Sequence, residues 1–355
     1  VLKFLSSSPT LGELAVGKDN NFNLLRLLAA FAVLISHSFA MLGQPEPFAA
    51  SVGKNLGAMA VDIFFVASGF LVGASLIRTQ RLGDYLLARA LRIFPALWLM
   101  LLLTVLVLGA VFTTHDANAY FSDRQTWHYL WKNFFLMLGV EFYLPGLFET
   151  NLLRGVVNGS LWSMIYELSM YALLLLSWAI YAYARRRLTA AIALFIAMLG
   201  LGMSVWLLDQ FYLLEHFQLL RFTWFFFIGT AYYLLRHQIR LSTKLIGVIV
   251  VCAVIALAMS GHHFLMLYYL ALPYCLFYFA YVPSGKIRSY NRFGDYSYGV
   301  YLYAFPIQQT LVLIHPEWSA LRLIVSAAVL TFGCAVCSWH WLEQPALAWR
   351  KSFWK

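Results

Sequence analysis

Apolar residues in this chain come in long unbroken runs rather than in strand-like alternation or a single amphipathic repeat. Runs of about 20 residues match the hydrocarbon thickness that one α-helix crosses. They lie near 22–42, 57–77, 92–113, 161–183, 189–208, 219–235, 244–260, 264–282, 296–314 and 320–342. The pattern predicts an all-α polytopic membrane bundle of about ten transmembrane helices, built as a single domain over 1–355. That domain includes an N-terminal segment (1–21), a long loop (114–160) and a short tail (343–355). Within the loop, the stretch WHYLWKNFFLMLG from Trp127 is too short and too polar to span. It reads as an interfacial helix.

Composition agrees with the pattern. Hydrophobic residues make up 62% and charged residues only 11%, where a soluble domain carries about a quarter charged. The polar, irregular N-terminal segment has no cleavable-signal pattern, so the first span is expected to act as its own insertion signal. Basic residues cluster after alternate spans: Arg78, Arg81, Arg89 and Arg92; Arg185 to Arg187; Arg236, Arg240 and Lys244; Lys286, Arg288 and Arg292. With those of the termini they are most of the 25 Lys and Arg. Positive charge marks the cytoplasmic side, so both termini are expected inside and the 114–160 loop outside. The net charge of +10 is thereby explained by topology and lipid headgroups, with no nucleic acid partner. Four cysteines fall inside apolar runs, and Cys334-x-x-Cys337 reads as buried small hydrophobes rather than a metal or redox site.

Against that background, polar groups inside spans carry the chemistry. The first span, NLLRLLAAFAVLISHSF, holds Arg26 and His37. Eleven residues return to within about 20° of the same helix face, about 16 Å further along the axis. Both groups therefore look into one interior surface at different depths, and ionisable residues so placed mark pathways or reaction centres. The second span, VDIFFVASGFLVG, brings Asp62 and the pair Ser68-Gly69, which also suits close helix packing. The fourth, GSLWSMIYELSMY, brings Glu167 with Trp162, Tyr166 and Tyr171 around it. LLARALRIFPALW places Arg89 and Arg92 one turn apart, a fork suited to phosphate oxygens. In RFGDYSYGVYLYAFPI, Tyr298 and Tyr301 share a face and Pro306 is expected to break the span.

In this order and spacing, the set resembles the acyltransferase-3 family of integral membrane proteins. The resemblance runs from Arg26 to SWHWLEQPAL and rests on Arg26–ten residues–His37, RxxR-Ile-Phe-Pro at Arg89–Pro95, FFVASGF, SLWSMIYE and LEQP. The chain departs from it at Ala304, where the family often has histidine. The resemblance implies a bacterial inner-membrane enzyme that moves an acyl group, usually acetyl from acetyl-CoA, onto a carbohydrate outside. No fused esterase domain is expected after the last span. Acyl-CoA, a carbohydrate acceptor and membrane lipids are then the expected partners, and no metal is expected. On this reading Arg89 and Arg92, aided by Arg26, hold the donor's phosphates, with Ser68 also on the donor side. His37 acts as general base or as a nucleophile, oriented by Glu167 or Asp62. Trp162, Tyr166 and Tyr301 are the candidate sugar contacts. A proton-coupled carrier is the competing class, because buried Asp, Glu, His and Arg also suit one.

The orientation is directly testable. In a cysteine-free background, single cysteines at 118 and 186 should differ in reaction with an impermeant maleimide applied from outside, 118 labelling and 186 not. Labelling of 186 alone would invert the topology.

Overall fold

The computed structural model describes residues 8–17, 19–79, 81–136, 139–183 and 218–350. The span expected at 189–208 and Arg185 to Arg187 lie outside the described residues. Helices α1 (Phe22–Met41), α2 (Leu56–Thr79), α3 (Leu82–Leu103), α4 (Arg124–Phe135), α5 (Trp162–Tyr183), α6 (Gln218–Leu234), α7 (Thr243–Met259), α8 (Gly261–Tyr281), α9 (Ser297–Ile314) and α10 (Ala320–Ser338) form an all-α bundle. Among the described residues there is no strand, only two isolated bridges.

Every expected span that falls on described residues is a helix, but six helical stretches among those residues are both long and apolar enough to cross a membrane. The others are shorter or more polar. Helix α9 shows why: it is buried along most of its length and carries Tyr298, Tyr301, Tyr303, Gln308 and Gln309 inside the bundle. A helix that meets protein on every side needs no lipid-soluble surface. The third span starts ten residues before its expected position, so Arg89 lies within α3 rather than ahead of it, and Arg92 lies well inside the helix rather than at its first residue. It continues through a π-helical turn (Thr104–Gly109) to Phe112.

Helix α2 is the axis of the packing. It crosses α6 where Gly69 and Gly229 meet: a Cβ on Gly69 would stand 1.8 Å from the Phe226 carbonyl oxygen, and one on Gly229 2.1 Å from that of Val66. Small residues at this crossing bring the two backbones into contact. Helix α1 lies between α2 and α9, and α10 covers the other side of α9.

Two expectations are corrected by the packing. Pro306 does not break α9, which runs on to Ile314. Lacking an N–H, Pro306 leaves the Leu302 carbonyl without its usual partner, and Asn158 Nδ2 donates to that oxygen at 3.0 Å. Nor are the cysteines buried. Cys252, Cys334 and Cys337 are exposed on the outer faces of α7 and α10, and Cys275 is half-buried. In a membrane the outer face is apolar too, so hydrophobic character alone does not send a residue inward.

The 113–158 segment closes one end of the bundle. Gln309 Nε2 donates to the Leu153 and Val156 carbonyls, and Asn151 Nδ2 donates to the Gln309 side chain and carbonyl. Within the segment α4 exposes Trp127, Trp131 and Phe135 along one stripe while burying Thr126, Tyr129 and Asn133. Trp98 of α3 stacks on Phe134 at 4.3 Å.

Candidate active site

Helices α1, α2, α3, α5 and α9 and the short helix Gln344–Trp349, with Arg350 after it, enclose a cavity of about 290 Å³. Arg26, Ser68, Arg89, Arg92, Glu167 and Tyr301 all line it, so the fold gathers six of the sequence-selected residues around one space. Asp62, His37, Trp162 and Tyr166 are not among its lining residues. The volume lies at the small end of ligand pockets, enough for a slender arm rather than a complete nucleotide-bearing molecule.

The four arginines at the cavity are unequal. Asp295 Oδ2 accepts from Arg26 Nη1 at 2.5 Å and from Arg92 Nη2 at 2.7 Å. Arg92 Nη1 also reaches Glu343 Oε2 at 3.3 Å. Arg350 makes a two-pronged pair with Asp84 at 2.7 and 2.5 Å. Arg89 makes no ion pair among the described residues; its guanidinium lies 5.8 Å from the Tyr171 ring centroid, and its buried Nε has no hydrogen-bond partner. The expected Arg89–Arg92 fork is therefore divided, because α3 turns Arg92 toward the carboxylates and leaves Arg89 facing the cavity.

Above Arg89 runs a chain of hydroxyls. Tyr171 donates to Glu167, and its oxygen lies 3.2 Å from Ser68 Oγ. Ser68 thus faces the cavity while its neighbour Gly69 makes the α2–α6 crossing; adjacent residues serve different faces of one helix. Further along, the Tyr301 hydroxyl donates to the Ser160 carbonyl at 2.9 Å and lies 2.5 Å from Ser163 Oγ. Those bonds fix Tyr301 against the start of α5.

His37 lies beyond that point. Its ring meets the Phe305 ring edge-on at 5.1 Å, and Phe305 is one turn along α9 from Tyr301. His37 Nδ1 is buried and makes no hydrogen bond among the described residues. The expected acid partner is not there. Glu167 is held by Tyr171. Asp62 is fully buried in a separate cluster, where Arg221, Lys54 at 2.6 Å and Tyr268 at 2.9 Å saturate its carboxylate. A buried carboxylate takes the nearest cations, and these come from α6 and the loop before α2. Trp162 and Tyr166 likewise pack on Phe222 of α6, at 5.7 and 5.3 Å between centroids. Ala304 is buried against Leu34 and Ala327, off the cavity face of α9.

Comparison with known proteins decides the class. The acyltransferase domain family matches residues 19–340. The chain belongs to the acyltransferase-3 family. It is 28% identical over 335 residues to an O-acetyl transferase of Shigella phage Sf6, covering 93% of this chain and 96% of the relative. To nodulation protein 10 of Rhizobium leguminosarum bv. viciae it is 30% identical over 376 residues, covering 96% of each. No solved structure gives a significant match. The chain is thus a multi-pass membrane acyltransferase, and the carrier reading gives way to an enzyme with an acyl donor and an acceptor.

Sequence reasoning left Asp295, Glu343, Tyr171, Ser163 and Arg350 of this acyltransferase without a role. Charge pairing was the available signal for two of them. With 15 Asp and Glu in the whole chain, an acid next to a span is a counter-ion in search of a cation.

The Asp62 cluster yields a stability prediction. Asp62→Asn leaves Arg221 and Lys54 without their carboxylate and should cost about 3–5 kcal/mol, the usual range for breaking a buried pair. Thermal unfolding in detergent checks it; a melting temperature equal to the parent's would mean the cluster adds nothing.

Proposed function

We propose that this enzyme moves acetyl from cytosolic acetyl-CoA to a hydroxyl of an extracytoplasmic carbohydrate, in the bacterial inner membrane with both termini cytoplasmic. The observation that carries the reading is a narrow cavity with Arg89 and Arg350 at one end and a largely apolar wall into which Ser68, Tyr171 and Glu167 bring a few polar groups. Its Arg89 and Arg350 end adjoins the short helix Gln344–Trp349, the cytoplasmic side on the charge distribution; His37 lies toward the opposite end. The family and the relative named as an O-acetyl transferase supply the reaction class.

On this reading Arg89 receives donor phosphate, since it has the guanidinium with no carboxylate partner among the described residues. The slender arm of the donor runs past Ser68, Tyr171 and Glu167, whose hydroxyl and carboxylate groups suit amides. The thioester then reaches the region of Tyr301 and Phe305. His37, as neutral imidazole, takes the proton from the acceptor hydroxyl as its oxygen attacks the thioester carbonyl. The carbon–sulfur bond breaks, the acyl–oxygen bond forms, and the imidazolium returns its proton to the departing thiolate. No carboxylate among the described residues bonds His37, and the Phe305 ring, packed edge-on, restricts the orientation of the imidazole. Trp162 and Tyr166 act on the acceptor only by shaping the α5–α6 wall.

Transfer from radiolabelled acetyl-CoA by the purified enzyme, with no ion gradient, tests the reaction. His37→Ala should lower transfer by about 10²–10⁴-fold, the share of a general base, while CoA binding stays near the parental value. A folded His37→Ala variant that transfers at the parental rate would remove the histidine from the chemistry.

Arg89→Gln should fail in the other way. Loss of one charge-assisted phosphate contact corresponds to roughly tenfold to a hundredfold weaker CoA binding. Arg89→Lys should recover part of it, because charge returns without the planar fork. Unchanged CoA affinity in Arg89→Gln would make this arginine a membrane anchor.

A further inference from the structure

The turn that precedes α9 places one carboxylate between two cations from two other helices. Gly294 makes this possible. Its φ of +137° is open to glycine, and a Cβ there would stand 2.3 Å from the Trp339 indole nitrogen. The chain therefore turns tightly beneath Trp339 and delivers Asp295 to Arg26 of α1 and Arg92 of α3 through a single oxygen, Oδ2. The other oxygen, Oδ1, accepts from Ser297 at the start of α9. Arg92 is completed by Glu343, which lies on the π-helical turn Trp339–Glu343 and also accepts from Ser338 at 2.9 Å. Burial opposes ionisation of Asp295, but Arg26, Arg92 and Ser297 outweigh it and hold the carboxyl below the usual carboxylate range.

The two guanidiniums, the two carboxylates and the cavity wall together suggest a division of labour. We propose that Asp295 is a positioning residue for the transfer reaction: its Oδ2 locks Arg26 and Arg92 into the cavity wall and, together with Glu343, offsets their charge, leaving Arg89 to receive the anionic donor. This rests on the acyl-CoA reading above. Arg26 and Arg92 are then wall elements that set the path of the donor arm. Without Asp295, Glu343 is the one carboxylate among the described residues that pairs with either arginine, and it pairs with Arg92, so Arg26 loses its described carboxylate partner. It can swing into the cavity and grip the polyanionic donor itself, at the wrong depth for reaction.

The test uses a sign that structural damage does not produce. The full-length enzyme in detergent or nanodiscs is titrated with CoA and assayed for transfer, as parent, Asp295→Asn, Asp295→Glu, Arg26→Gln and the Asp295→Asn/Arg26→Gln pair. Asp295→Asn should bind CoA about threefold or more tightly at low salt, the gain shrinking as salt is added, because one negative charge has left from behind the wall of a cavity that binds an anion. Its turnover should nevertheless fall by roughly tenfold or more, since misplacement by about 1 Å can cost more than that. Asp295→Glu keeps the charge and should bind CoA as the parent does, with reduced turnover from the longer arm. In the double variant the tighter binding should vanish, because Arg26 is what Asp295 restrains. If Asp295→Asn does not fold, Asp295→Glu decides: parental turnover would overturn the positioning role, and reduced turnover with parental affinity would support it. Weaker or unchanged CoA binding in folded Asp295→Asn would overturn it as well. A parent that binds no CoA would instead refute the donor assignment, and this role with it.

Discussion

Asp295 Oδ2 holds Arg26 and Arg92 together, and Glu343 closes the network from the far end of the chain. Four charged groups from α1, α3, the turn before α9 and the turn after α10 neutralise one another where water is scarce. Away from water an unpaired charge is costly, so each helix must stand where its charge meets a partner. Apolar packing between membrane helices gives little such direction, because lipid is as good a neighbour as leucine. The charge network therefore fixes the register of the helices around the cavity. A second network, Asp62 with Arg221 and Lys54, does the same between α2, α6 and the loop before α2.

Seen from the cavity, the consequence is selectivity by subtraction. Among the described residues three of its arginines carry carboxylate partners, and Arg89 faces an aromatic ring instead. A narrow space with one such cation suits a donor whose charge sits at one end and whose reactive group sits at the other. His37 stands apart from these residues, beside Phe305, which fits an acceptor that arrives from the opposite side of the membrane under the proposed reading.

Much of the site was legible before the fold. Arg26, Ser68, Glu167 and Tyr301 were selected as polar residues inside apolar runs, and Arg89 with Arg92 as a fork at the entry to the third span; all six line the cavity. The rule that worked is energetic: lipid-facing polar groups are expensive, so polar residues in spans turn inward. The rule does not say which interior surface they reach. Asp62 and Glu167 obey it equally, yet one is saturated by Arg221 and Lys54 while the other lines the cavity under Tyr171. Neither touches His37. The same rule has no grip on cysteine, which is apolar enough for either face, and three of the four proved exposed.

By itself the sequence determined the membrane class, most of the helix positions, the inward direction of the polar groups and the resemblance to an acyltransferase family, because run length and motif spacing are properties of one dimension. The tertiary structure decided the pairings: Asp295 with Arg26 and Arg92 across 269 and 203 residues, Asn158 with the carbonyl that Pro306 leaves free, Gly69 against the backbone of α6. The physical reason is that a buried charge or carbonyl is satisfied by whichever group the packing brings within about 3 Å. That distance is set by how helices cross, and the crossings depend on residues far apart in the chain.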